Sequence, residues 1–428
     1  MREPGSRENL SGHWEVVVVG AGPAGLVAAF RAAERGCRTL LVEKNRKPGV
    51  KILMSGGTRC NMTHATDERG IVREFGQQGR FLHSALSVLG PQQVVEMFEA
   101  EGVATKVEST GKVFPASNKA LDVLRALLRR LERSRCQLAL EQPVQAIERQ
   151  RDGFRLKLAA GQITAEKLVL ATGGKSYPGC GTVGDGYAWA AALGHTIVSP
   201  RPALVPLRTD AAWVLELKGI TLPDVMLRVV PHEAAAEAAT RKKSVLAERR
   251  GSFLFTHFGV SGPVVLDVSR AVSGHARPDS LSLVCDFLPA IEPAELDRAL
   301  AEQNAACGKR QIPQLAAQWL PQRVADTVVE LAGIARDRRA AELARTDRGR
   351  LARAMKGTAI PITGTLGYEK AEVTAGGVAL AEIDSHTMQS RLVPKLYIVG
   401  ELLDLDGPIG GYNFQAAFST GWLAGESV

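Results

Sequence analysis

Three observations predict a two-part α/β chain in which a nucleotide-binding fold, built from both chain ends, carries an inserted segment. Residues 16–43 read strand, glycines, helix, strand; two later apolar strands also run into glycines; and between about residues 200 and 361 the texture changes to short β-rich pieces followed by helix-favouring sequence. Size agrees, because 428 residues with 45% hydrophobic content exceed one compact unit.

The first unit opens with residues 16–19, a β-branched run suited to a strand buried on both faces, which stops at Gly20. Gly20, Gly22 and Gly25 form GxGxxG, and residues 26–34 continue as an alanine-rich helix. A second apolar strand, 39–42, ends at Glu43, about 20 positions after the glycines, as needed for a carboxylate to reach a ribose hydroxyl. The first glycine makes the turn, the second lets the backbone approach a pyrophosphate, and the third lets helix and strand pack closely, while the N–H groups of the helix face the phosphates. Glu43 also favours a free adenosine 2′-hydroxyl, since a carboxylate repels a 2′-phosphate.

After Glu43 comes KNRKPGVKILMSGGTRCNMTH, expected as a glycine-rich loop rather than another crossover helix. That favours FAD over NAD, because a flavoprotein sends this part of its chain under the flavin. Residues 167–171 form a strand leading to Thr172, Gly173 and Gly174, and 181–197 read as a tight loop and a helix ending at Gly194. Residues 396–399 form another strand, ending at Gly400 and Glu401. A last helix, about 411–423, starts behind Pro408, Gly410 and Gly411, with its positive end available to an electron-rich ring.

The blocks VVVGAGPAGL, KILMSGGTRCNMTH, VFPASNKA, LATGGKSYPGCGTVGDGY, LFTHFGVSGP, AEVTAGGV and GELLDLDGPIGGYNFQAAFSTG follow one another from residue 17 to residue 421. Together they resemble the BaiN/RdsA family of NAD(P)/FAD-dependent oxidoreductases, the YhiN-like flavoproteins. The resemblance implies a Rossmann-like FAD-binding domain of the two-dinucleotide-binding flavoprotein type, formed by residues 1–198 and 362–428, with an inserted β-barrel and helical domain at 199–361. It places FAD contacts on Gly20, Gly22, Gly25, Glu43, Lys51, Thr172, Gly173, Gly400, Glu401 and Gly411. The neighbouring Pro23, Ala24, Lys44, Ser55, Gly56, Gly57, Arg59, Cys60, Gly410, Tyr412 and Asn413 complete the candidate cofactor site, with Lys175 and Tyr177 expected nearby. Thr58 stands where the family pattern has a third glycine, and a positive φ is not expected of a threonine.

Flavin carries the hydride, so the protein must supply orientation and a proton. Cys60 is the first candidate proton donor, although Arg59 beside it favours the thiolate; His257 is the second. There is no second GxGxxG unit and no CxxC pair, so NADH or NADPH is expected as a transient reductant and a disulfide-reductase type is excluded. The six scattered cysteines suggest free thiols and no metal site, and the lack of a long apolar run suggests a cytoplasmic protein. The formal net charge of +8 suits an anionic partner. Two basic clusters lie in the insert: residues 336–356, and Arg241, Lys242 and Lys243 with Arg249 and Arg250. They are read either as a polyanion-binding surface or as a solvated face whose arginines pair with Glu342 and Asp347. The resemblance implies reduction of uridine to dihydrouridine in 23S ribosomal RNA by hydride transfer from reduced FAD; the alternative is a small-molecule oxidoreductase acting on an amine or an enone-like substrate.

Overall fold

The computed structural model describes residues 12–235 and 244–428, so Arg241, Lys242 and Lys243 lie outside the described residues. The chain divides into two compact units: one runs to Arg201 and resumes at Glu372–Val428, and the other is Pro202–Ala371. The insert thus ends at Ala371 rather than Pro361, because Gly364–Thr365 still pairs with Leu207–Arg208 inside the insert's own sheet.

In the first unit, β1 (Gly12–Val19) lies between β2 (Thr39–Val42) and the long strand Gly161–Leu170, parallel to both. A strand so flanked and covered on both faces has no polar side to present, and Val16, Val17 and Val18 are fully buried. Each buried valine contributes about 1.5 kcal/mol by burial alone. Strand Gln137–Ala139 extends the sheet beyond β2. The far edge of Gly161–Leu170 is shared: its first half pairs antiparallel with Phe154–Leu158, and its end pairs parallel with Leu396–Ile398.

Helix α1 (Pro23–Glu34) covers one face together with the helices Ala120–Arg133 and Tyr412–Ser427; Leu26, Phe30, Leu127 and Phe418 share that core. The other face is closed by a second cluster containing Val17, Leu40, Leu168, Tyr187 and Leu402. The carboxyl ends of β1, Gly161–Leu170 and Leu396–Ile398 therefore point the same way, and the glycines that follow them gather at one edge of the sheet.

The second unit is a seven-stranded antiparallel sheet whose two path ends, Thr358–Pro361 and Gly364–Thr365, are consecutive pieces of one segment. Ile362 N donates to Leu281 O at 2.9 Å on one side and Thr363 N to Arg208 O at 3.0 Å on the other, so the sheet closes on itself as a barrel. Helix Pro263–Ser273 packs into its core, and the helices Pro293–Ala306, Gln322–Leu331 and Arg345–Gly357 continue the same apolar cluster through Leu300, Val328 and Leu351. Among the described residues no helix is long and apolar enough to cross a membrane.

Candidate functional site

The turn after β1 is dictated by backbone crowding. A Cβ on Gly25 would lie 1.8 Å from Gly20 O, and one on Gly20, at φ 104°, would lie 2.6 Å from Ala171 O. Gly22 differs: a Cβ there meets nothing within 4 Å, so its openness faces outward, where a ligand approaches. Pro23 has no N–H to lose at the first helical position, and the first helical bond is Leu26 N to Gly22 O at 2.9 Å, leaving the N–H groups of Ala24 and Gly25 without helical acceptors. Glu43 is 8% exposed, and its two oxygens accept from Ala21 N and Asn45 N, each at 2.8 Å. The carboxylate is thereby pinned beside the turn with further lone pairs left over.

The stretch after β2 corrects the expectation of a plain loop. Residues from Val50 form a helix, α2 (Val50–Thr58), which breaks at Ser55, Gly56 and Gly57. Gly56 and Gly57 take φ of 54° and 65°, Thr58 takes 68° and Cys60 takes 62°. The positive φ at Thr58 overturns the expectation for a β-branched residue, and such a conformation costs on the order of 1–3 kcal/mol. Strain is therefore held in the exposed tip of this loop.

Two side chains of this loop are engaged within the protein itself. Cys60 is fully buried among Ile52, Met62 and the surrounding apolar core, and burial pushes its thiol up to about 12. It remains a protonated thiol with no accessible surface, which corrects its assignment both as a donor to a guest and as an Arg59-stabilised thiolate. Arg59 is spent elsewhere: its guanidinium meets Glu108 at 2.6 Å and lies over Phe114 at 4.0 Å. Lys51 pairs with Glu401, and Lys44 pairs with Asp185 at the start of helix Asp185–Ala192.

The C-terminal loop meets the same place. Asn61, oriented so that its amide nitrogen donates to Thr63 O at 2.9 Å, accepts from Gly411 N at 2.9 Å, tying the strained loop to the start of helix Tyr412–Ser427. Tyr412 stacks on His64 with ring centres 4.9 Å apart. Asn413 turns inward, bridging Gly407 N and O at 2.8 and 2.9 Å, so its side-chain amide shapes the loop. Gly410 stays at φ 144° beside the Tyr412 ring.

The chain matches the HI0933-like protein Rossmann domain family over residues 14–427. It belongs to the HI0933-like family. It is 32% identical to the ribosomal RNA dihydrouridine synthase of Escherichia coli over 97% of this chain and 98% of that one. It is 31% identical to the 3-dehydro-bile acid delta(4,6)-reductase of Clostridium scindens over 96% and 98%. Among solved structures, E. coli quinol fumarate reductase FrdA shares the fold at TM-score 0.50 and 18% identity, over 97% of this chain and 70% of that one. This HI0933-like protein is an FAD-dependent oxidoreductase with a Rossmann-type FAD-binding domain.

The residues present fit that cofactor. The open position at Gly22, the unshared N–H groups opening α1 and the pinned Glu43 carboxylate match a pyrophosphate joined to a ribose. Thr172 Oγ1 is buried without a hydrogen-bond partner, a donor left for a ligand beside Gly173, which sits at φ 72°. Lys175 N and Ser176 N are both held by Thr374 Oγ1, and Tyr177, at φ 52°, has its phenol kept protonated by burial and by Glu372. Sequence reasoning missed Ser176, Thr374, Asn61 and His64; all four stand inside the motif blocks, and only their contacts mark them.

In the insert of this HI0933-like protein, His257 is exposed at the hairpin tip between Ala247–Thr256 and Gly259–Ser261, its ring edge-on to Phe258. The cationic stretch is largely paired. Asp347, 8% exposed, is held below the usual carboxylate range by Arg350 and Arg338, and Arg348 grips Asp297 through two bonds of 2.7 and 3.1 Å. Lys356 meets Asp286 at 2.9 Å, and Arg250 meets Asp224 at 2.7 Å.

A His–carboxylate–serine set joins buried His195 to part-exposed Glu382 at 3.0 Å and to buried Ser390 at 2.8 Å, and the Ser390 oxygen already takes the N–H groups of Leu392 and Val393. It braces the chain and offers no nucleophile. Among the described residues no cluster of three or more metal-ligating side chains occurs.

Proposed function

We propose that this protein reduces a carbon–carbon double bond conjugated to a carbonyl, and that its substrate is a uridine of 23S ribosomal RNA, converted to dihydrouridine. The observation that carries the reading is the collinear likeness to the Escherichia coli ribosomal RNA dihydrouridine synthase, which runs through both units of the chain rather than through the nucleotide turn alone. A Haemophilus influenzae protein of the same name is 30% identical over 98% of this chain. The surplus of eight positive charges supports a polyanionic partner, because pairing within the insert redistributes that surplus without cancelling it.

When bound, FAD supplies the hydride chemistry, taken up in turn from NADH or NADPH. The chain's own residues do the rest. Ala24 and Gly25 would offer N–H groups to the pyrophosphate, Glu43 would hold the ribose and Thr172 would offer its hydroxyl, while the Ser55–Cys60 loop, anchored by Cys60 and Asn61, would help to hold the cofactor. A flipped-out base costs a few kcal/mol to unstack, which contacts to flanking phosphates offset.

The Clostridium scindens relative favours a second reading, a steroid-like enone as substrate. Uracil and an enone share a double bond polarised by a carbonyl, so one site serves either. Mass-spectrometric mapping of dihydrouridine in 23S rRNA with and without the gene decides between them. Loss of one dihydrouridine, restored by a plasmid copy, is expected; an unchanged map overturns the RNA reading and moves the assay to enones with NADH or NADPH.

A further inference from the structure

Ser176 is fully buried where four segments of the FAD-binding unit meet. Its hydroxyl oxygen accepts from Lys51 Nζ at 2.7 Å and donates to Glu401 Oε1 at 2.7 Å. Lys51 also donates to Glu401 Oε2, closing a three-membered ring of charge-assisted bonds. Glu401 Oε1 takes a further N–H from Thr374 at 2.8 Å, and Thr374 Oγ1 accepts from Lys175 N at 2.8 Å and Ser176 N at 3.1 Å. Helix α2, the loop after Gly161–Leu170, the strand Val373–Val378 and the turn Gly400–Leu402 are fastened at one point.

The Glu401 carboxylate receives three donors, all from protein, two on Oε1 and one on Oε2. The ammonium has three N–H groups and these bonds use two, leaving one to offer. Its side chain is 20% exposed, the partial access a ligand contact requires.

We propose that Ser176 is a positioning residue for the bound cofactor: with Glu401 it fixes the Lys51 ammonium so that its remaining N–H meets FAD. The role is independent of which substrate the enzyme reduces.

The test uses the full-length protein stripped of flavin and titrated with FAD, reading affinity by flavin fluorescence, and the midpoint potential and visible spectrum of the bound flavin. Ser176→Ala weakens FAD about tenfold, as expected for a lost bond to a charged group, and lowers the midpoint potential because the ammonium is no longer held. Combined with Lys51→Met, Ser176→Ala adds no further loss, since its effect passes through Lys51. Unchanged affinity and potential in Ser176→Ala, or losses that multiply in the double variant, overturn the proposal. Should the alanine variant fail to fold, Ser176→Cys, close in size but a poor donor, must show the same loss; wild-type behaviour in it overturns the proposal equally. A negative rRNA map leaves every one of these readings untouched.

Discussion

The turn from Gly20 to Gly25 and the loop from Ser55 to Cys60 both lie at the cofactor site and both depend on glycine, but for opposite reasons. In the turn, Gly20 and Gly25 are required because backbone stands where a side chain would go, and of the turn's residues only Gly20 takes a positive φ. In the loop, the backbone takes positive φ at four of the last five positions, two of them occupied by Thr58 and Cys60. Packing forces the second; contact distances alone force the first. The turn is therefore a local device that any Rossmann-type sequence displays, whereas the loop keeps its shape only because Cys60 is sunk in the core and Asn61 is bonded to the C-terminal helix.

The hardest way to break this contrast is Gly25→Ala. A Cβ 1.8 Å from Gly20 O forces helix and strand apart, so a loss of about 3 kcal/mol or more is expected, with FAD binding lost too; a wild-type melting curve would show the turn to be more pliant than its distances imply.

Next in size is the alkaline response of the loop's anchor. The Cys60 thiol ionises at 9.0 in an ordinary setting and at about 12 in the fold, so its protonated form is the one folding favours. That contribution is fully present below pH 9 and is lost as pH rises from 9 toward 12. Cys60→Ala should flatten the alkaline fall in urea midpoints, leaving the share due to Cys136, Cys180 and Cys285, whose thiols are also raised by burial. An equally steep fall in the variant would remove Cys60 from the account.

Gly22→Ala sharpens the contrast from the other side. With φ −80° and open space around the new methyl, the flavin-free protein should melt within about 0.5 kcal/mol of wild type, while FAD binds about tenfold more weakly. Equal losses in both measurements would mean that the position serves the fold and not the ligand. The smallest effect is expected from Thr58→Gly, which releases the strained φ of 68° and should stabilise the protein by about 0.5–1 kcal/mol. Destabilisation in chemical denaturation would show that Thr58 contributes more by contact than it costs in strain.

The elements of the nucleotide fold were legible because their signals are short-range. The valines of β1, the spacing of Gly20, Gly22 and Gly25, the helix behind them and Glu43 fall within thirty residues, and β1, α1 and β2 stand where that pattern put them. The start of α2 was not legible, since residues 50–54 make barely more than one helical turn beside three glycine-directed bends. The insert's barrel was legible as strands, but its closure depends on the two sides of one segment, Ile362 and Thr363, bonding to opposite sheet edges.

By itself, then, the sequence determined a βαβ cradle, the family and the set of loops that face the cofactor, because hydrophobic period and glycine geometry act over neighbouring residues. Tertiary structure alone decided which side chains in those loops are available. Arg59 is taken by Glu108, Asn413 by its own loop and Cys60 by the core, while Lys51 is held by Ser176 and by Glu401, 350 positions away. Burial and ion pairing are settled by what arrives from distant parts of the chain, and no local pattern carries that information.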